Sequence, residues 1–219
     1  TLLRNHDYRS EISIWEDTIR KHPENHRAHS NLGNALSNQG RHEDAIQRFK
    51  AALRIRPQHP KALVGMGLAM IETGHVDRGI RILSEAVRLS PGNAKARNNL
   101  GFNLILAGEF DVGIGHLLEA IRLNPSYADA HYNLGLAYFQ KEQMDKALTH
   151  YLEGLRLAPD DPFIHTNAAL AFYAKGRVRK SIHHLKQALK IRPDLENPRT
   201  NLQIISDSLM GQHETGKPM

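Results

Sequence analysis

The chain contains no cysteine. Disulfides, thiolate zinc sites and cysteine nucleophiles are therefore excluded, although the absence identifies no redox compartment. No apolar run approaches the ~20 residues that a membrane-spanning helix needs. No signal peptide is visible either. There is no phosphate-cradling glycine loop, no nucleophile elbow and no acid–base pair outside a repeating pattern, so no catalysis is expected of this chain. Blocks of one charge are missing too. Lys and Arg outnumber Asp and Glu by 29 to 23, a net charge of +6, but the excess is spread along the chain. Acidic partners are mildly favoured. A polybasic tail of the kind that binds nucleic acid is absent, and no nucleic-acid partner is expected.

What is present is ordinary globular composition, 40% hydrophobic and 24% charged over 219 residues. The residues from Ala128 to Pro159 hold two helical patterns back to back. The first places apolar or small residues at Ala130, Leu134, Gly135, Ala137 and Tyr138. The second places them at Met144, Ala147, Leu148, Tyr151, Leu152 and Leu155. Both follow the three-and-four spacing of one buried helix face. Neither helix could bury that face alone, so each needs a neighbour.

Repetition supplies the neighbours. Pro23, Pro57, Pro91, Pro125, Pro159 and Pro193 recur at about 34 residues. Aligned on them, Leu32, Met66, Leu100, Leu134 and Ala168 share a column, followed by Gly33, Gly67, Gly101, Gly135 and Ala169. Further columns are Ala45, Gly79, Gly113, Ala147 and Ser181, then Phe49, Leu83, Leu117, Tyr151 and Leu185, then Ala52, Ala86, Ala120, Gly154 and Ala188. Small residues at fixed points imply helices in close contact, where a larger side chain would overpack.

These columns resemble the tetratricopeptide repeat (TPR) family over nearly the whole chain. The resemblance implies an all-α, right-handed superhelical solenoid of antiparallel helix pairs. Residues 1–23 are expected to be the second helix of a partial repeat. Five repeats follow, at 24–57, 58–91, 92–125, 126–159 and 160–193. A capping helix is expected at 194–210 and a disordered tail at 211–219. Gly40, Gly74, Gly108 and Gly176 mark the turn inside four repeats, where a left-handed residue is needed. Glu142 stands there in the fourth repeat and predicts a strained or lengthened turn. Gly113 and Gly115 weaken one helix by roughly 1 kcal/mol each against alanine.

Thr1 opens the chain without a methionine, which suggests a piece of a longer protein. The stretch from Arg4 to Gly33 resembles the junction after the last membrane span of polytopic proteins with C-terminal TPR arrays, glycosyltransferase-like ones included. Arg4, Asn5, Tyr8, Trp15 and Pro23 carry that resemblance. It implies the extramembrane part of a membrane protein; a cytoplasmic protein is the alternative. Trp15 is expected to cap the first core layer under either reading.

In the TPR family the first helix of each pair lines a concave surface. The resemblance places the sixth point of each repeat at Asn31, Gly65, Asn99, Asn133, Asn167 and Asn201. An asparagine amide offers two donors and an acceptor, and the column is similar to the asparagine ladder of O-linked N-acetylglucosamine transferases. Such a row can hold the main chain of an extended peptide; the competing reading is that it braces adjacent helices. Phe102, Tyr132, Phe139 and Tyr173 could form apolar pockets beside it. Arg27, Lys61 and Lys95 occupy the second point, followed by Asp129 and Phe163. The groove is thus expected to be basic at its N-terminal end and more apolar toward its C-terminal end. Asn31 and Asn34 match part of the clamp with which some TPR proteins bind chaperone tails, but Ser30 stands where the clamp has lysine.

The histidines invite a metal reading. His183 and His184 are adjacent and point to different sides of a helix. His29, His131 and His165 share a column that is usually bulky, which makes them packing residues. No metal and no cofactor are expected. The function expected is that of a protein-interaction scaffold for a protein or peptide ligand, with self-association through the array ends as a further possibility.

Overall fold

The computed structural model describes residues 11–215, with side chains through Asp207. The expected sites at Arg4, Asn5 and Tyr8 lie outside the described residues. Every regular element among the described residues is a helix, and the chain divides into two compact units between Gly108 and Glu109.

The first unit holds α1 (Glu11–Lys21), α2 (His26–Asn38), α3 (His42–Ile55), α4 (Pro60–Glu72), α5 (Val76–Leu89) and α6 (Ala94–Leu106). Here α2 pairs with α3 and α4 with α5. The pairs stack, since α3 packs on α4 and α2 also reaches α4, with α1 and α6 against the outer members. The second unit holds α7 (Phe110–Leu123), α8 (Ala128–Gln140), α9 (Met144–Leu157), α10 (Pro162–Ala174), α11 (Val178–Ile191) and α12 (Glu196–Thr215). It repeats the scheme: α8 pairs with α9 and α10 with α11, α9 packs on α10, and α7 and α12 flank them. Each unit is thus a stack of antiparallel helix pairs, the arrangement of a helical-repeat solenoid.

Local chemistry sets the helix ends. Asn25 caps α2 by accepting from the N–H groups of Arg27 and Ala28, and Asp161 caps α10 by accepting from Phe163 and Ile164. These side chains satisfy donors that have no partner in the helix. Pro60 and Pro162 occupy the first turn of α4 and α10, where the missing N–H costs nothing. At the turn inside each pair the chain needs one left-handed residue. Glu142 takes that conformation at φ 58°, as Gly74 does at φ 84°. The turn is not lengthened: Gln143 N donates to Tyr138 O at 2.8 Å, as His75 N does to Met70 O at 2.8 Å. The departure is absorbed as backbone strain.

The repeat columns build the cores. In the first unit Leu32, Leu36, Phe49 and Met70 are buried together, and Ile12, Trp15 and Ile19 of α1 pack against them. Full burial of a side chain such as Phe49 contributes about 1.5–3 kcal/mol. A Cβ at Gly33 would stand 2.7 Å from the Phe49 ring, so glycine there makes room for the aromatic. In the second unit Leu148, Tyr151, Ile164 and Phe172 form the matching cluster, and Gly135 makes room for Tyr151 in the same way. Gly113 is buried within α7, whereas a side chain at Gly115 would meet open space. At the C-terminal end Ile205 of α12 covers Ala169 and Leu185, while Ile204 stays exposed. Helix α12 runs to Thr215, so residues 211–215, expected in the tail, are helical. No proline interrupts this stretch before Pro218.

Candidate functional site

Each unit carries a groove built from the first helices of its pairs. The groove of the first unit has a volume of about 620 Å³ and is lined from α2, α4 and α6. It gathers Asn34, Lys61, Lys95 and Asn99 of the predicted set, and adds Ser37, Asn38 and Asn93. No carboxylate lines it. Asn93 uses its side-chain oxygen to cap α6 by accepting from Ala96 N, which leaves its NH2 group as a donor. The side-chain nitrogen of Asn99 is buried and has no hydrogen-bond partner. The asparagine column breaks at Gly65 for a packing reason: a side chain there would collide with the Phe49 ring and approach Asn34 Oδ1 at 3.1 Å.

The groove of the second unit, about 630 Å³, brings together Tyr132, Asn167 and Asn201 with Phe163, Thr166 and Thr200. Asn167 behaves as a brace, its Nδ2 donating to Tyr132 Oη and to Phe163 O, both at 3.0 Å. Its side-chain oxygen has no role in those bonds. Burial, and then the Asp161 carboxylate, push the Tyr132 phenol above its ordinary range, so the hydroxyl remains a donor. The expected apolar character does not hold at this groove. Asp194, in the turn before α12, and Glu196, the first residue of α12, line it. The Arg192 guanidinium lies 5.8 Å over the Phe163 ring and 3.5 Å from Asp194.

The remaining predicted residues line neither groove. Asn31 and Phe102 are half-buried, Arg27 is exposed on the first turn of α2, and Asn133 is buried. Phe139 packs on the Tyr151 cluster, and Tyr173 is exposed near the end of α10. The signal for Asn38 and Asn93 was the same amide chemistry off the asparagine column: Asn38 stands seven residues after Asn31, and Asn93 six before Asn99.

The histidine column does more than fill space. His29, His131 and His165 are buried, and the Nε2 of each meets the carbonyl of the repeat-boundary proline six residues back, at 2.8, 3.3 and 3.1 Å. A carbonyl can only accept, so each Nε2 carries the proton. Arg97 holds Pro91 O in the same way at 2.7 Å, and Arg199 holds Pro193 O. In the second unit His131 and His165 also face a second imidazole: His150 Nδ1 lies 3.3 Å from His131 Nδ1, and His184 Nδ1 lies 2.9 Å from His165 Nδ1. With Nε2 donating to proline, neutral His131 and His165 accept at Nδ1, and His150 and His184 donate. Burial, with the facing imidazole second, lowers His150 and His184 to about 4. Among the described residues no group of three His, Asp or Glu side chains is placed to hold a metal ion, and no helix is long and apolar enough to cross a membrane.

No curated protein matches the sequence. Solved structures do resemble the fold. The Cut9 and Hcn1 hetero-tetramer of the APC/C contains a chain that superposes with a TM-score of 0.83 at 21% identity, over 89% of this chain. This chain spans only 39% of that one. YrrB, described as a TPR protein with an unusual peptide-binding site, gives a TM-score of 0.64 at 20% identity, covering 86% of this chain and 97% of its own. Both likenesses concern the fold alone. TTC0263, a thermophilic TPR protein of Thermus thermophilus, is 25% identical with a TM-score of 0.69, covering 82% of this chain and 98% of its own. Sequence models of the tetratricopeptide repeat match residues 1–60 and 105–162, and residues 38–88. Together with the repeat columns and the stacked helix pairs, these matches show that the chain belongs to the tetratricopeptide repeat family.

Proposed function

We propose that the chain is a protein-interaction scaffold whose first-unit groove holds an extended, acidic segment of a partner protein. One observation carries this reading: Lys61 and Lys95 share a groove with the amides of Asn34, Asn38, Asn93 and Asn99, and no carboxylate opposes them. The amides suit a peptide main chain, which alternates donors and acceptors. The lysines favour carboxylates and speed encounter. The orphaned Asn99 nitrogen is a buried donor that a carbonyl would satisfy, and leaving such a group unpaired is costly. The peptide-binding site described for YrrB supports the same class of ligand.

A labelled peptide of alternating aspartate and alanine should bind at about micromolar affinity, roughly −8 kcal/mol. Replacing Lys61 and Lys95 with alanine should weaken it by about tenfold or more. Asn99→Ala should weaken it further, with the helical circular dichroism unchanged. Equal affinity for the wild type and the triple variant would overturn the reading. The junction of residues 4–23 supports a finer placement, as the extramembrane arm of a membrane-bound, glycosyltransferase-like protein. A parent reading frame without hydrophobic spans before Thr1 would end that placement.

A further inference from the structure

A second feature of the first unit lies beside the groove, where α2 and α4 begin. His26 opens α2, and its Nδ1 is buried without a hydrogen-bond partner. His59 precedes α4, is only 8% exposed, and makes no side-chain cap bond. The two rings meet edge to face, with centroids 4.7 Å apart and planes at 84°. Pro60 follows, so the first turn of α4 has neither a capping side chain nor an N–H at that position. The N-terminal end of α4 keeps the positive potential of its dipole, with one N–H fewer because of Pro60 and no carboxylate cap to offset it.

The surroundings add to that potential. Arg56, where the chain leaves α3, and Arg27 both act on His26. Arg56, Lys61 and Arg27 act on His59, together with His26 itself. Among the described residues, the charged groups that bear on the two imidazoles are cations. Burial first, and then these cations, lower both rings from their ordinary range. Such a gathering repels a metal ion and calls for an anion. Two guanidinium groups, an ammonium and two imidazoles approach from different elements, which suits a multivalent oxyanion better than a single carboxylate. Arg in particular matches phosphate oxygens in pairs.

We propose that His26, Arg27, Arg56, His59 and Lys61 form a pocket for a phosphoryl group, carried on a side chain of the peptide held in the adjoining groove. Lys61 belongs to both sites, since it also lines the groove. The occupant rests on the peptide reading above; the pocket itself does not. Phosphorylation of the partner then adds an anchor beside the lysines and amides, and the complex responds to the modification.

Two measurements on the whole chain test this. In the first, inorganic phosphate is titrated while the imidazole Cε1–H resonances are followed by NMR. The His26 and His59 signals should move, and their midpoints should rise as the dianion offsets the neighbouring cations. The Arg27→Gln/Arg56→Gln variant, which alters two exposed side chains, should keep its helical dichroism and lose the response. Signals that stay still, or that move equally in the variant, overturn the pocket. In the second, the aspartate–alanine peptide is compared with one carrying a single phosphoserine. The phosphopeptide should bind about tenfold more tightly, and the double variant should remove that preference. Lys95→Ala should weaken both peptides alike. Equal binding of the two peptides overturns the inference and leaves the scaffold reading standing. A phosphate response with neither peptide bound overturns the occupant together with the scaffold reading.

Discussion

The two units share one architecture and differ in what they do with it. Both fill the same column with a buried aromatic, Phe49 in the first and Tyr151 in the second, and both clear room for it with a glycine. Their grooves diverge. Lys61 and Lys95 charge the first, whereas Asp194 and Glu196 charge the second. Their histidines diverge as well. In the first unit His26 and His59 sit among cations; in the second, His150 and His184 are paired with other imidazoles beside the repeat corners. The packing columns repeat because every pair must stack on the next. The surface positions carry no such constraint, so individuality accumulates there.

Acid should break the comparison most strongly. His150 and His184 sit near 4 in the folded chain and near 6.5 when unfolded. Both forms are neutral above 6.5, so stability is full there. Between 6.5 and 4 the unfolded chain binds more protons, and stability falls with pH. Below 4 the slope from these groups ends. We expect the melting temperature to drop by about 5 °C or more between pH 7 and pH 4.5. Hydrogen exchange should show α8–α11 losing protection first. His150→Gln combined with His184→Gln should flatten the profile; an unaltered profile would refute the assignment.

The aromatic column gives a sharper and smaller test. Tyr151 is fully buried and its hydroxyl has no partner, and burial raises its ionisation well above the ordinary range. Tyr151→Phe should therefore stabilise the chain by about 1 kcal/mol, whereas Phe49→Tyr should destabilise it by about 1–3 kcal/mol. Urea denaturation of the two variants measures both signs. Shifts of the same sign would show that the column is not equivalent in the two units. The smallest effect is expected at the turn of the fourth repeat. Glu142→Gly relieves a left-handed glutamate and should gain about 0.5–1 kcal/mol, since the greater freedom of unfolded glycine offsets part of the relief. A loss in the same denaturation assay would contradict the strain.

Much of this was legible in the chain. Period and packing follow from Pro23 onward, because helix pairs that bury one another leave small and large residues at fixed points. Trp15 was placed correctly against the first core layer for the same reason. The groove chemistry was legible only where it lay on the repeat columns, as at Lys61, Lys95 and Asn99. Asp194 and Glu196 escaped because they lie where α12 begins, at points of the repeat where no groove residue was expected. His131 and His165 were read as packing residues and are buried. Their partners His150 and His184 are also 34 residues apart, but pairing across two helices needs coordinates. The gap at Gly65 likewise depends on the Phe49 ring, which arrives from another helix.

One corner of the first unit lacks what its siblings have. The histidine and arginine that secure the prolyl carbonyls at Pro23 and Pro91 are replaced at the intervening repeat by Leu63, a side chain with nothing to donate to Pro57. That joint therefore lacks the side-chain bond to a prolyl carbonyl that its neighbours have, and it is the joint at which Arg56 and His59 stand. An anion bridging those two residues would act as a removable rivet, stiffening the bend while it stays and releasing it on departure.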